Sequence, residues 1–216
     1  MKSDWFLAGK PCGIPRITDF VSIQEVYSLM RDTLLPPQIE YDEKFGILLS
    51  PSQFLRRLAL ARREGDLRGT PVSIAFIDID DFKSFNSKYG EFIVDKSVLP
   101  VLMRRMEAHV HAQGFAFRFG GDEYMMLLPN LNREQAISSC IAFQRSLASL
   151  KFVGADKPLS VSIGLCTSEA DSPLTNRELQ QRATDAKQIA KRNEKNCVAW
   201  VNGDVLIEST PVISRP

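Results

Sequence analysis

Two carboxylates directly follow two glycines in the middle of the chain, in the segment Gly120-Gly121-Asp122-Glu123. Strand-like apolar residues flank this segment on both sides, so it is predicted to form the turn of a hairpin. Glycine lets the chain turn sharply and lets its backbone approach a phosphate closely. Two adjacent acids are costly to bury without a cation. The pattern therefore predicts Asp122 and Glu123 at a hairpin tip, within reach of a divalent metal.

A second group of acids ends an apolar run upstream. The segment from Pro71 to Ile79 predicts a buried strand, and side chains alternate across a strand, so Asp78 and Asp80 share one face. Carboxylates and backbone carbonyls are the oxygen ligands that suit Mg²⁺. Asp78 and Asp122 can thus hold one ion together, and Lys83 can meet a phosphate as a point charge. The alternative is an acidic turn followed by a solvated lysine.

The elements that must position these residues alternate along the chain. Residue patterns predict helices at 52–63, 92–113, 132–150 and 175–193, and strands at 71–78, 115–129 (a hairpin), 159–166 and 197–201. Strands interleaved with helices around an antiparallel hairpin predict an α/β (α+β) sandwich of ferredoxin-like, palm type, with a mainly antiparallel sheet flanked by helices. Before them, the apolar spacing of Asp19 to Leu34 predicts an amphipathic helix that ends at Pro36-Pro37.

Composition narrows the class of protein. A chain of 216 residues with 44% hydrophobic content can bury one substantial core. The net charge of +1 provides no global field for nucleic acid or an anionic membrane. Neither a membrane-spanning run of about 18 apolar residues nor the apolar core of a signal peptide is found. The four cysteines are scattered and read as reduced thiols. We therefore expect a cytoplasmic protein with no nucleic-acid or membrane partner.

In several separated blocks the chain resembles a GGDEF domain, the catalytic domain of diguanylate cyclases. The blocks are the signature Gly120-Gly121-Asp122-Glu123-Tyr124, the metal-and-nucleotide segment Asp78–Asn86, the late core strand Ser160–Gly164, and the last helix with its following loop, Ala183–Asn196. The resemblance runs from about Phe45 to Asn202. It implies a nucleotidyl-cyclase palm fold and a GGDEF domain at residues 45–203, with an N-terminal extension at 1–44 and a C-terminal tail at 204–216.

The resemblance also implies a reaction, because family members condense two GTP molecules into cyclic di-GMP and release two pyrophosphates. Asp78, Asp122, Glu123 and the carbonyl of Ile79 match the ligands of Mg²⁺ (or Mn²⁺), two per active site. Asp122 and Glu123 are the implied catalytic residues, and Glu123 matches the acid that helps to deprotonate the attacking 3′-hydroxyl. Two metals lower the pKa of that hydroxyl and neutralise charge on the phosphates.

Further positions match residues that hold the nucleotide. Asn86 and Asp95 match the guanine-contacting pair, and a carboxylate suits guanine because it accepts from the N1–H and N2–H₂ edge, where adenine offers an acceptor. The implied phosphate-binding groups are the backbone amides of Asp81 and Phe82 and the side chains of Lys83, Lys191 and Lys195. The family usually has Arg at Lys195. The alternatives are that Asn86 is a turn residue and that Asp95 is a helix N-terminal charge.

The chain departs from the family pattern in several places. The glycine before the guanine-binding Asp is Val94, the Asp-x-Leu-Thr-Gly-Leu-x-Asn-Arg motif is reduced to Phe45–Ser50, and the Ala-Leu-Tyr segment of the last helix reads Ala186-Lys187-Gln188. None of these changes removes a metal ligand or the catalytic acid. The stretch His111–Gly114 lacks both charged residues of the Arg-x-x-Asp product-binding motif, so no product-inhibition site is expected.

Two other functions stay open. The chain can be a related palm-type enzyme that makes another cyclic or linear oligonucleotide, or a catalytically inactive GTP-binding or interaction module. Asn86 and Asp95 argue against the first, and the intact acids argue against the second. Since one family-type site holds one GTP, a cyclic dinucleotide requires two facing sites, and we expect a homodimer. The helix Asp19–Leu34 either promotes this dimer or packs on its own domain.

Overall fold

The computed structural model describes residues 39–193, 195–202 and 206–211, with side chains described as far as residue 200. The amphipathic helix predicted at Asp19–Leu34 lies outside these residues. In the described part of the chain, no helix is long and apolar enough to cross a membrane.

A six-stranded sheet forms the centre of the fold. Its strands are β1 (Val72–Ile79), β2 (Phe115–Arg118), β3 (Glu123–Pro129), β4 (Val161–Ser168), β5 (Cys197–Asn202) and β6 (Leu206–Pro211), in the spatial order β2-β3-β1-β4-β5-β6. Neighbouring strands are antiparallel except for β4 and β5, which are parallel. The helix that precedes β5 supplies the crossover that a parallel pair needs. The mixed, mainly antiparallel sheet flanked by helices confirms the predicted fold class.

The longer helices in the described part of the chain flank this sheet: α1 (Phe54–Arg68), α2 (Phe82–Tyr89), α3 (Leu99–Val110), α4 (Arg133–Ala148) and α5 (Asn176–Arg192). Two of them begin with a capping box, in which Asn132 and Thr175 exchange hydrogen bonds with the residue three positions later. Gly69 ends α1 with a φ of 67°, the left-handed conformation that glycine adopts without strain. These local features explain why the three helices begin or end where they do.

The core divides between the two faces of the sheet because side chains alternate along each strand. Ala75, Ile77 and Ile79 of β1 pack with α3 and α4, whereas Ile74 and Phe76 pack with α1 and α5. Asp78 continues the second series by alternation. The carboxylate of Asp78, near the C-terminal end of β1, therefore lies on the face of the sheet that α5 covers.

Three local predictions differ from the structure. The helix predicted at 92–113 is broken into a turn at Glu91–Ile93, a π-helical segment at Val94–Val98 and α3. Pro100 in the first turn of α3 cannot donate a backbone hydrogen bond, which is consistent with an altered register just before it. The short helix α2 was not predicted at all.

The third difference concerns the C-terminal tail predicted at 204–216. Residues Leu206–Pro211 form β6, which pairs antiparallel with β5 from Asn202↔Leu206 to Cys197↔Pro211. This strand adds an edge to the sheet through backbone hydrogen bonds, which a residue pattern alone does not reveal. Within the segment predicted as the C-terminal tail, these residues therefore extend the sheet by one strand.

Candidate active site

The β1–β3 pairing brings the predicted metal ligands together at one end of the sheet. Asp78 lies directly opposite Glu123 in the register, and the amide of Ile79 donates to the carbonyl of Asp122 at 3.1 Å. The turn between β2 and β3 is closed by the amides of Phe119 and Gly120, which both donate to the carbonyl of Glu123, at 2.8 and 3.1 Å. The hairpin and its acidic tip are therefore as the sequence predicted.

The carboxylates of this tip repel one another. Partial burial raises the pKa of Asp122, and the negative charges of Asp78 and Glu123 raise it further. Like charges directly opposite each other on neighbouring strands are destabilising, and Asp78 and Glu123 are such a pair. The cluster of Asp78, Asp122 and Glu123 therefore calls for a positive counter-charge.

Two lysines of α5 supply positive charge to the cluster. The ammonium nitrogen of Lys187 lies 2.8 Å from Oε1 of Glu123 and 3.3 Å from Oδ2 of Asp78. That of Lys191, one turn later, lies 2.5 Å from Oδ1 of Asp78 and donates to the carbonyl of Ile79 at 2.8 Å. Burial lowers the pKa of Lys187, but the hydrogen bond and charge of Glu123, together with Asp78, outweigh it and raise the pKa overall.

The donor set fits a hard divalent cation, because carboxylate and carbonyl oxygens are the ligands that Mg²⁺ takes. Asp122 has no cationic partner in the part of the chain that the structure describes, so its carboxylate is available. Within the same described residues, no group of three or more acidic, His or Cys side chains is already arranged around a metal position. The ammonium groups of Lys187 and Lys191 lie beside Asp78 and Glu123, in the space that a metal ion would need in order to contact these carboxylates.

Lys187 is the site residue that the sequence analysis missed. In the sequence it stands out only as a departure from the Ala-Leu-Tyr segment of the family, which assigns it no role. Its position four residues before Lys191 on a helix was the available signal, because residues four apart lie on the same helix face.

The predicted phosphate-binding residues gather around the start of α2. Asp81 precedes this helix with a left-handed φ of 52°, and its carbonyl accepts the first helical hydrogen bond, from Phe85. The amides of the first turn, Phe82 and Lys83 among them, have no acceptor within the helix. Lys195 forms an exposed ion pair with Asp81 at 2.6 Å, and its hydrogen bond lowers the pKa of the Asp81 carboxyl. Lys83 is exposed on the same turn.

Asp80, which the sequence placed on the same strand face as Asp78, stabilises the fold around the site. Its side chain is 2% exposed and accepts hydrogen bonds from the hydroxyls of Ser160 and Ser162 and from the amide of Asn196. It thereby ties the end of β1 to the start of β4 and to the loop after α5. This loop carries Lys195, so Asp80 helps to hold the phosphate-binding region in place.

The guanine-contacting candidates lie apart from the carboxylate cluster, and no described contact joins them to it. Oδ1 of Asn86 on α2 is buried and has no hydrogen-bond partner among the described residues. Asp95 lies in the π-helical segment and pairs with Lys44 at 2.6 Å. Lys44 also lines a cavity of about 450 Å³ that extends to the signature glycines Gly120 and Gly121. A buried acceptor without a donor fits a ligand that brings its own N–H groups.

The profile of the family described as "Diguanylate cyclase, GGDEF domain" matches residues 46–197. The diguanylate cyclase DgcM of Escherichia coli is 33% identical over 155 residues, which are 72% of this chain and 35% of DgcM. The diguanylate cyclase DosC of Shigella sonnei is 30% identical over 151 residues, or 68% of this chain and 31% of DosC. The crystal structure of the GGDEF domain of DgcB from Caulobacter crescentus, in complex with c-di-GMP, has a TM-score of 0.67 at 23% identity and covers 77% of this chain and 96% of that domain.

A profile match over well more than half of the chain, on a fold shared with a solved GGDEF domain, defines the class of protein. The chain belongs to the GGDEF diguanylate cyclase family. It spans only about a third of the length of DgcM and DosC.

Proposed function

We propose that this chain is a diguanylate cyclase that condenses two GTP molecules into cyclic di-GMP and two pyrophosphates. The observation that carries the proposal is the convergence of Asp78, Asp122 and Glu123 at one end of β1 and β3, beside the exposed amides of α2. Membership of a family whose relatives DosC and DgcM are named diguanylate cyclases supports it.

Asp78, Asp122 and the carbonyl of Ile79 would hold Mg²⁺ or Mn²⁺, and the family arrangement with two ions per site adds Glu123. A bound divalent ion supplies charge neutralisation at the α-phosphate and lowers the pKa of the attacking hydroxyl. Glu123 would accept the proton of the 3′-hydroxyl, and Asp122 would help to hold the ion. These are the catalytic roles proposed for the two signature acids.

The remaining residues bind and orient GTP. The amides of Asp81 and Phe82 and the side chain of Lys83 lie at the start of α2, where unpaired N–H groups favour a phosphate. Lys191 leaves Asp78 and, with Lys195, contacts the triphosphate. Asp95 accepts hydrogen bonds from the N1–H and N2–H₂ edge of guanine and Asn86 contacts the same base, which requires GTP to displace Lys44 from Asp95. That exposed pair is worth at most about 1 kcal/mol, so its loss is readily offset.

We assign the activity to a GGDEF domain at residues 45–203 that acts in the cytoplasm as a homodimer with apposed sites. GTP is its substrate, and no nucleic-acid or membrane partner is proposed. The segment Asp19–Leu34, which the sequence predicts to be an amphipathic helix, is the candidate dimer-forming segment, and the alternative is that it packs on its own domain. No product-inhibition site is assigned, because His111–Gly114 lacks the charged residues such a site needs.

A catalytically inactive GTP-binding module is the second candidate function. The specific observation in its favour is that both oxygens of Asp78 contact ammonium groups, from Lys187 and Lys191. If these contacts persist when nucleotide binds, the carboxylate of Asp78 is not free to bind a metal ion.

The test incubates the purified chain with Mg²⁺ and each of the four nucleoside triphosphates and identifies products by mass spectrometry. We expect cyclic di-GMP from GTP, and none from the Asp122→Ala variant. The matched control is Asp185→Ala, an exposed acid of α5 that accepts a hydrogen bond from Gln181. Binding of GTP without turnover would favour the inactive module, and a product from another nucleotide would identify a different palm-type enzyme.

A further inference from the structure

The ammonium group of Lys187 bridges two carboxylates from different strands. It contacts Glu123 on β3 at 2.8 Å and Asp78 on β1 at 3.3 Å. These two side chains are directly opposed in the β1–β3 register. Lys187 is therefore placed as a cation shared by a carboxylate pair, which is the position that a bridging metal ion would take.

The helix backbone places Lys187 rigidly. A Cβ atom added to Gly164 of β4 would lie 2.0 Å from the amide nitrogen of Lys187 and 2.6 Å from its Cα. The backbone of α5 thus touches the sheet at this residue, and only glycine permits the approach. The ammonium group also lies 4.5 Å from the centre of the Phe76 ring, in a cation–π contact.

Lys191 is more exposed than Lys187 and has different partners. Its side chain is 25% exposed, against 9% for Lys187, and it contacts Asp78, Asp80 and the carbonyl of Ile79 rather than Glu123. A partly exposed lysine can move toward an incoming triphosphate. Lys187, which is enclosed by the sheet and by Phe76, stays with the carboxylates.

A divalent ion bound to both Glu123 and Asp78 would need to lie about 2.1 Å from an oxygen of each. The Lys187 nitrogen already fills the space between those oxygens, and two cations at such a separation repel strongly. At Asp78, Asp122 and the Ile79 carbonyl the cation in place is Lys191, whose partly exposed side chain can move toward solvent when an ion binds. Charge also balances better, because Lys187 neutralises one acid of the cluster.

We infer that Lys187 takes the place of one of the two divalent ions of the family arrangement, so that this chain binds a single ion, on the Asp122 side, with the ammonium group as the fixed partner of Glu123. This inference rests on the proposed function for its catalytic meaning, but the cation arrangement itself does not. Lys187 is in this account a positioning residue: it orients Glu123 and sets the number of metal ions.

The test counts bound Mn²⁺ per chain by electron paramagnetic resonance, with the full chain and Mn²⁺ alone. We expect one ion per wild-type chain and a second ion in Lys187→Met, which keeps the length of the side chain and removes its charge. Lys191→Met is the matched control: it removes the other ammonium group at Asp78 but does not free Glu123, so its count stays at one. Circular dichroism verifies that each variant is folded.

A count in Lys187→Met that does not exceed the wild-type count overturns the inference, as does a wild-type chain that binds two ions. Should Lys187→Met fail to fold, Glu123→Gln decides: the count stays at one if Lys187 is the partner of Glu123, and falls if Glu123 is a metal ligand in the wild type. Since no nucleotide is present, the measurement is independent of GTP cyclisation. A second ion in Lys187→Met from a chain that never converts GTP would refute the proposed function and uphold the role of Lys187.

Discussion

Ser162 donates its hydroxyl to Oδ1 of Asp80 at 2.7 Å, and both side chains are almost completely buried. The hydrogen bond links the carboxyl end of β1 to β4. Replacing Ser162 by Ala leaves a buried carboxylate with one donor fewer, which costs about 1–3 kcal/mol. We therefore expect the Ser162→Ala chain to have a free energy of unfolding lower by that amount in urea denaturation.

The control for this measurement is Ser138→Ala. The hydroxyl of Ser138 donates to a backbone carbonyl on the exposed face of α4, and substitutions at such positions change stability by less than about 0.5 kcal/mol. Equal effects at the two serines would mean that Asp80 does not depend on Ser162.

Glu123→Gln should retain GTP binding and lose most of the turnover. An amide cannot accept the proton of the attacking hydroxyl, and general base catalysis typically contributes about 10²- to 10⁴-fold to a rate. Single-turnover kinetics, with GTP binding measured separately by calorimetry, would check this. Turnover within a few-fold of wild type would place Glu123 outside the chemistry.

Asp95→Ala should weaken the preference for GTP over ATP. A hydrogen bond to a charged group is worth about 1.5–3 kcal/mol, which corresponds to roughly 10- to 150-fold in relative affinity. Competition binding of the two nucleotides measures the ratio. Asp156→Ala is a matched control, because Asp156 also pairs with an exposed lysine, Lys88, but lies outside the guanine-contacting pair. An unchanged ratio in Asp95→Ala would show that the helical segment after Gly90, which carries Val94, does not distinguish guanine from adenine.

His109 should make folding stability depend on pH. Burial lowers the pKa of His109 below its ordinary value of 6.5, and a hydrogen bond with Ser139 offsets only part of this. The unfolded chain therefore takes up the proton more readily, so the contribution is present above pH 6.5 and is lost as the pH falls through the folded-state pKa. We expect the free energy of unfolding to fall less between pH 8 and about pH 5.5 in His109→Gln than in wild type. His111→Gln, at an exposed position, should behave as the wild type does.

Enzyme activity should depend on protein concentration more steeply than linearly, because two sites, each with one GTP, must face each other. Specific activity should decrease once the protein is diluted to concentrations below the dissociation constant of the dimer. Deleting residues 1–40 should shift this fall to higher concentration if the helix predicted at Asp19–Leu34 promotes the dimer. Constant specific activity down to nanomolar protein, together with monomeric sedimentation, would contradict the apposed-site arrangement.

Residue patterns alone predicted the hairpin, its acidic tip, the buried strand β1 and the two capped helices α4 and α5. These succeed because the signals are local: alternation specifies a strand, glycine specifies a sharp turn, and apolar residues at helical spacing specify a helix. The blocks around Asp78 and Gly120–Glu123 were also sufficient to identify the family. Strand β6, the helix α2 and the π-helical break before Pro100 were missed, because they depend on edge pairing, on a short span and on register.

The sequence by itself indicated which acids lie close together, since Asp78 is near the end of one apolar strand and Asp122 and Glu123 are at the start of another. The tertiary structure decided which cation lies between Asp78 and Glu123. Lys187 is far from both in sequence, and it reaches Asp78 and Glu123 only because Gly164 lets the backbone of α5 approach the sheet directly. No periodicity or spacing encodes that approach, because it is set by the packing of a helix against a strand through a missing side chain.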